Sequence, residues 1–144
     1  MNAPAKRLSG GCLCGAVRFT AAPRNHEFGI CHCNMCRKWS AGPFFAIECG
    51  ATVKVEEPSQ LGVYRSSEWA ERCFCKTCGT ALFYRLVGRD YDVVSAEAFD
   101  DRADFKLTSQ IFIDEKPPSY DFANKTKMMT GAEVFAAFAG EAKE

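Results

Sequence analysis

Seven of the chain's nine cysteines fall into three compact groups, and no other feature narrows the possible folds as far. Cys12 and Cys14 stand in GCLCG, Cys31, Cys33 and Cys36 in CHCNMC, and Cys75 and Cys78 in CFCKTCG. A tetrahedral zinc ion wants about four ligands with sulfur at about 2.3 Å, and two ligands two or three residues apart can grip one ion without breaking the local turn. A distant pair then completes the tetrahedron. Gly15 and Gly79 directly follow a pair, where a residue free to adopt positive φ lets backbone amides turn toward the sulfurs.

The simplest partition joins Cys12, Cys14, Cys75 and Cys78 into a closed site across about sixty residues of intervening chain, which stabilises the fold and reads as structural. Cys31, Cys33 and Cys36 then form a group of three, and three protein ligands with an open fourth position is the pattern of a catalytic zinc. Two other readings stay open at this stage. Cys73, Cys49 or His32 would close the triplet into a second structural site, and disulfides or a redox pair at Cys75 and Cys78 would replace metal altogether.

The expected compartment weighs against disulfides. MNAPAKRLSG contains no apolar signal core, and the longest apolar runs, such as Phe44 to Ile47, fall far short of the roughly 20 residues that span a bilayer. A soluble cytoplasmic protein with no membrane partner is expected, among reducing thiol pools that oppose structural disulfides. Eighteen basic residues balance eighteen acidic ones. The chain therefore offers no global positive field for nucleic acid, and none is expected as a partner.

With 144 residues, 47% of them hydrophobic, one domain over residues 1–144 is expected, its folded part about 8–139. Ala16 to Ala21, Phe44 to Glu48, Thr52 to Val55, Ala81 to Arg85 and Tyr91 to Ala96 are short and rich in β-branched or aromatic residues, with turn formers between them. They predict a mainly β fold of antiparallel strands. A single clear helix is expected near the C-terminus, where Thr130 and Glu133 fit a capping box ahead of Val134, Phe135 and Phe138. Pro58 to Gly62 and Lys116 to Ser119 read as loops.

Three thiolates on Zn²⁺ leave about one net negative charge, which suits exchange of a soft thiolate better than hydroxide chemistry. The expected partner is a small-molecule thiol or thiol adduct. Arg37 and Lys38 stand beside the triplet as candidate receptors for substrate carboxylates. Trp39, Phe44 and Phe45 are pocket-wall candidates that read more naturally as core. His32, between two ligands, must point away from them and reads as exposed or as a support behind the site. Cys49 and Cys73 read as packed thiols.

The order GCxCGxVxF, CHCxxCRK and FCxxCGT, spanning Gly11 to Thr80, resembles the glutathione-dependent formaldehyde-activating enzyme family, which also includes centromere protein V-like domains. Ile111 to Tyr120 (IFIDEKPPSY) looks like the family's late strand and proline-aromatic segment. The resemblance implies a β-tent zinc-binding fold with two Zn²⁺ per chain, one structural on Cys12, Cys14, Cys75 and Cys78, the second on Cys31, Cys33 and Cys36. It also implies a carbon–sulfur lyase, joining glutathione to formaldehyde to give S-hydroxymethylglutathione. The centromere-type relatives offer a different reading, a zinc-stabilised binding module without catalysis. The spacing alone does not separate glutathione from other thiols, and the oligomeric state is not set by it.

Overall fold

A computed structural model describes residues 6–102 and 104–142. Among them lie eleven strands and two α-helices: β1 (Leu8–Gly11), β2 (Arg18–Ala21), β3 (Glu27–Cys31), α1 (Asn34–Ser40), β4 (Phe44–Gly50), β5 (Lys54–Val55), β6 (Leu61–Arg65), β7 (Ala70–Cys75), β8 (Ala81–Leu86), β9 (Tyr91–Ser95), β10 (Lys106–Ile111), β11 (Lys127–Met129) and α2 (Gly131–Ala142). The fold is mainly β with a short C-terminal helix, as expected. It comprises two compact units, one from the described residues up to His26 with Ala46–Phe105, the other from Glu27–Phe45 with the residues from Lys106 on.

In the first unit β1, β2 and β5 form a small antiparallel sheet, and β4, β9, β8, β7 and β6 follow one another, also antiparallel, in a larger one. Side chains alternate faces along a strand, so register decides which residues share the core. Phe83 faces Cys73 on one side and Val94 on the other. All three are fully buried, with Val17, Ile47 and Leu82. Removing each large apolar side chain from water stabilises the unit by about 1.5–3 kcal/mol. Phe19 meets Phe99 edge to face at 5.6 Å. Gly10 allows β1 to lie this close, because a Cβ there would stand 2.4 Å from the Ala98 carbonyl oxygen and 2.6 Å from the Phe19 ring.

In the second unit β10 lies between β3 and β11 and pairs with both in parallel. These pairings depart from the all-antiparallel expectation. A parallel partner cannot be reached through a tight hairpin, and nothing local in β3 announces a mate that begins at Lys106. Helix α1 was also not expected. Its seven residues begin at an unusual N-cap, Cys33, whose sulfur accepts the Cys36 amide, and end at Ala41 in the left-handed region.

The expected strand ends shift by a few residues. The strand expected from Ala16 begins at Arg18, that expected from Thr52 covers only Lys54–Val55, and β4, β8 and β9 end at Gly50, Leu86 and Ser95. Pro58–Gln60 form a 3-10 turn, but Leu61 and Gly62 already belong to β6. The capping box is present: the Thr130 amide donates to Glu133 Oε1 at 2.8 Å, and the Glu133 amide to Thr130 Oγ1 at 3.2 Å. Val134 is buried, whereas Phe135 is largely exposed and touches Phe112 edge to face at 5.7 Å.

Candidate metal centres

Each unit carries one of the cysteine groups expected to bind metal. In the first, the sulfurs of Cys12, Cys14, Cys75 and Cys78 all lie within 4.8 Å of one another. Four sulfurs at about 2.3 Å from a tetrahedral ion stand about 3.8 Å apart, and Cys12 to Cys14 measures 3.6 Å and Cys14 to Cys75 3.8 Å. Turns deliver these atoms. Gly15 and Gly79 have φ of +86° and +81°, and their amides donate back to the carbonyl oxygens of Cys12 and Cys75. The Val17 amide points at Cys12 Sγ from 3.2 Å, and the Thr77 and Cys78 amides at Cys75 Sγ from 3.3 Å. Thr80 links the two knuckles, accepting the Leu13 amide at 3.1 Å and lying 3.1 Å from Cys78 Sγ.

The thiols themselves ask for a cation. Hydrogen bonding from Thr80 holds Cys78 down at about 5. The Ala16 amide pulls Cys14 down, yet burial and the three neighbouring sulfurs leave it raised to about 11. Four thiolates this close cannot all carry charge unless a positive ion shares it. The donor set, the spacing and the amide contacts all suit zinc.

In the second unit Cys31 closes β3, Cys33 caps α1 and Cys36 follows one turn later, with all three sulfurs within 4.8 Å. The Cys36 amide donates to Cys33 Sγ at 3.3 Å. Hydrogen bonding with Cys33 and Cys36, with burial behind it, drives the Cys31 thiol far above its ordinary range. This crowding again suits a cation. Cys31 and Cys36 are buried and Cys33 is half-buried, so the group reaches solvent on the Cys33 side.

His32 is fully buried rather than exposed. Its Nε2 lies 2.7 Å from Gln110 Oε1 and its Nδ1 2.8 Å from the Tyr120 hydroxyl, so neither ring nitrogen faces the sulfurs as a fourth ligand. Burial lowers its pKa, opposed by the Gln110 hydrogen bond and reinforced by Lys116 and Arg37. Among the described residues neither Cys49 nor Cys73 belongs to a metal-compatible group; both are buried in the first unit, where burial pushes each thiol up to about 12. None of the nine cysteines, all among the described residues, forms a disulfide. Phe44 is core, 5.4 Å from the Trp39 ring, and Phe45 lies half-buried between Phe28 and Phe122.

Arg37 is engaged within the loop, donating from Nε to the His32 carbonyl at 2.8 Å and from Nη2 to the Glu115 carbonyl at 3.4 Å. Glu115 Oε1 accepts the Asn34 amide at 3.0 Å. Lys38 is exposed. Gln110, Glu115 and Tyr120 thus hold the loop that carries the triplet, with Thr126 behind Gln110, without having been picked out in the sequence as functional residues. Each stands among ordinary residue types and meets the loop only through the fold.

Comparison with known proteins leads to the family that the sequence resembles. Residues 7–115 match the family model described as glutathione-dependent formaldehyde-activating enzyme. A Schizosaccharomyces pombe protein named as an uncharacterised lyase is 40% identical over 126 residues, covering 87% of this chain and 92% of its own. A Halomonas elongata protein named provisionally as a glutathione-dependent formaldehyde-activating enzyme is 34% identical over 85 residues, covering 53% of this chain and 54% of its own. The crystal structure of a Rhodobacter sphaeroides protein superposes with a TM-score of 0.57 at 21% identity, covering 70% of this chain and all of that one, and shows likeness of fold.

Proposed function

The chain belongs to the glutathione-dependent formaldehyde-activating enzyme family, and from that premise we propose that it is a zinc-dependent carbon–sulfur lyase acting on the adduct of a small thiol and an aldehyde. Glutathione with formaldehyde, giving S-hydroxymethylglutathione, is the leading pair. In this reading one domain carries two ions, a structural one on Cys12, Cys14, Cys75 and Cys78 and a reactive one on Cys31, Cys33 and Cys36. A reducing, cytoplasmic setting suits a chain whose nine cysteines form no disulfide.

The observation that carries the reading is a three-sulfur group with His32 turned away from it. Zinc bound there would supply a soft Lewis-acid position where a thiol sulfur is held as thiolate. The reaction itself is a balanced addition: a carbon–sulfur bond forms, the aldehyde carbonyl becomes a hydroxyl, and the thiol proton ends on that oxygen. No oxidant is needed. The chain's own part is to hold the partners in one geometry. Cys31 and Cys36 anchor the group from the buried side, while Cys33 leaves the approach open. Lys38 supplies an exposed positive charge for a carboxylate of the thiol.

Cys33→Ser tests this proposal. The variant is expected to stay folded, keep one zinc per chain and lose at least tenfold in turnover of the thiol–aldehyde adduct. Folded variant protein that works as fast as the parent would exclude the triplet as the reactive centre.

A further inference from the structure

A fully buried histidine with both ring nitrogens hydrogen-bonded to distant side chains is expensive to assemble, because every polar group in such a chain must find a partner. Here the chain is complete and its direction can be read. Gln110 Nε2 donates to Thr126 Oγ1 at 2.9 Å, so Gln110 Oε1 is left to accept, and His32 Nε2 carries the proton it receives. His32 Nδ1 is then the acceptor for the Tyr120 hydroxyl. The Tyr120 ring also stacks on the imidazole at 5.5 Å.

The backbone of His32 is held as firmly as its ring. Its amide donates to the Ile111 carbonyl at 3.1 Å, and its carbonyl accepts Arg37 Nε at 2.8 Å. Successive side chains on extended backbone point to opposite faces. Cys31 ends a strand and Cys33 has extended angles, φ −63° and ψ 150°. Fixing His32 on one face therefore sends Cys31 and Cys33 together to the other, where Cys36 meets them.

We propose that Tyr120 and Gln110 are positioning residues of the triplet. Acting through His32, they hold Cys31 and Cys33 in convergence and so set how tightly the second site keeps its ion. The inference rests on the reading of the triplet as a metal site and adds to it residues 78 and 88 positions along the chain from His32.

The test uses full-length zinc-loaded protein and follows zinc release to a chromophoric chelator, with a thermal unfolding midpoint for each variant. Tyr120→Phe removes the hydroxyl and leaves an aromatic ring. Gln110→Leu removes the acceptor, and Gln110→Glu restores one. The expected result is release of the labile ion faster by about tenfold or more in Tyr120→Phe and Gln110→Leu, an unchanged slow ion, and near-parental release in Gln110→Glu. Parental release from Tyr120→Phe and Gln110→Leu would overturn the proposal and leave the lyase reading standing. Equal acceleration of both ions with a lowered midpoint, unrelieved by Gln110→Glu, would also overturn it by showing a general structural role. A parent protein that holds no second ion would remove the metal-site reading and this inference together.

Discussion

Arg37 Nε donates to the His32 main-chain oxygen at 2.8 Å, so the cation that follows Cys36 in the chain braces the loop that carries the sulfurs. Its neighbour Lys38 is exposed. The two basic residues should therefore fail in different ways. Arg37→Met is expected to speed loss of the labile zinc by about tenfold, the scale of a lost support behind a metal ligand. Lys38→Met should keep both ions and raise KM for the glutathione adduct several-fold with kcat little changed. Zinc content and steady-state kinetics on the same preparations separate the two.

Elemental analysis of reduced protein should find two zinc ions per chain. Brief exposure to a mild chelator should remove one quickly, because the triplet holds its ion with three sulfurs while the other group has four. Two equally resistant ions would indicate two closed sites. Protein without zinc would end the metal reading of both groups.

Cys12→Ser should strike stability rather than turnover chemistry alone. Cys12 belongs to the four-sulfur group and accepts the Val17 amide, and metal binding at a site spanning distant knuckles contributes directly to folding. A loss of about 3 kcal/mol or more is expected, close to 10 °C in thermal midpoint for a chain of this size. Leu13→Ser is the control. Leu13 lies between two of these sulfurs but is 90% exposed, and its replacement should change stability by no more than about 0.5 kcal/mol.

Arg18 Nη1 donates to Asp100 Oδ1 at 3.0 Å, and this hydrogen bonding holds the Asp100 carboxyl below its ordinary value of 3.8. A carboxyl depressed in the folded state binds its proton more readily when unfolded. Its stabilisation is thus full above the unfolded value and is lost as pH falls through the lower folded one. Both side chains are more than a third exposed, so the pair is worth less than about 1 kcal/mol and fades with salt. Asp100→Asn should show that small loss at neutral pH and converge with the parent in strong acid, measured by denaturant unfolding across the pH range.

Thr130→Ala should fray α2. Its hydroxyl accepts the Glu133 amide while Glu133 returns a bond to the Thr130 amide, and loss of such a cap costs about 1 kcal/mol. Amide exchange should quicken in the first turn of α2, with zinc content unchanged.

Both cysteine groups are legible in the sequence because a knuckle that can grip a metal is a local device. Two ligands and a following glycine need only a few residues to show themselves, and Gly15 and Gly79 adopt the positive φ that the pattern demands. The capping box at Thr130 and Glu133 is local in the same sense. The parallel mates of β3 and β11 were not legible, since alternation along a strand shows which face is buried but not which strand lies alongside or in what direction.

Local pattern by itself marked the cysteine pairs and the triplet that can grip an ion, the segments that favour extended chain and the place where the last helix starts. Tertiary structure alone decided that His32 would be buried, that Gln110 and Tyr120 would reach its two nitrogens, and that Arg37 would brace the loop instead of facing solvent. The physical reason is that loop closure costs only slowly more as the intervening chain lengthens. Sequence separation therefore says little about which distant residues meet, and only the packed fold selects them.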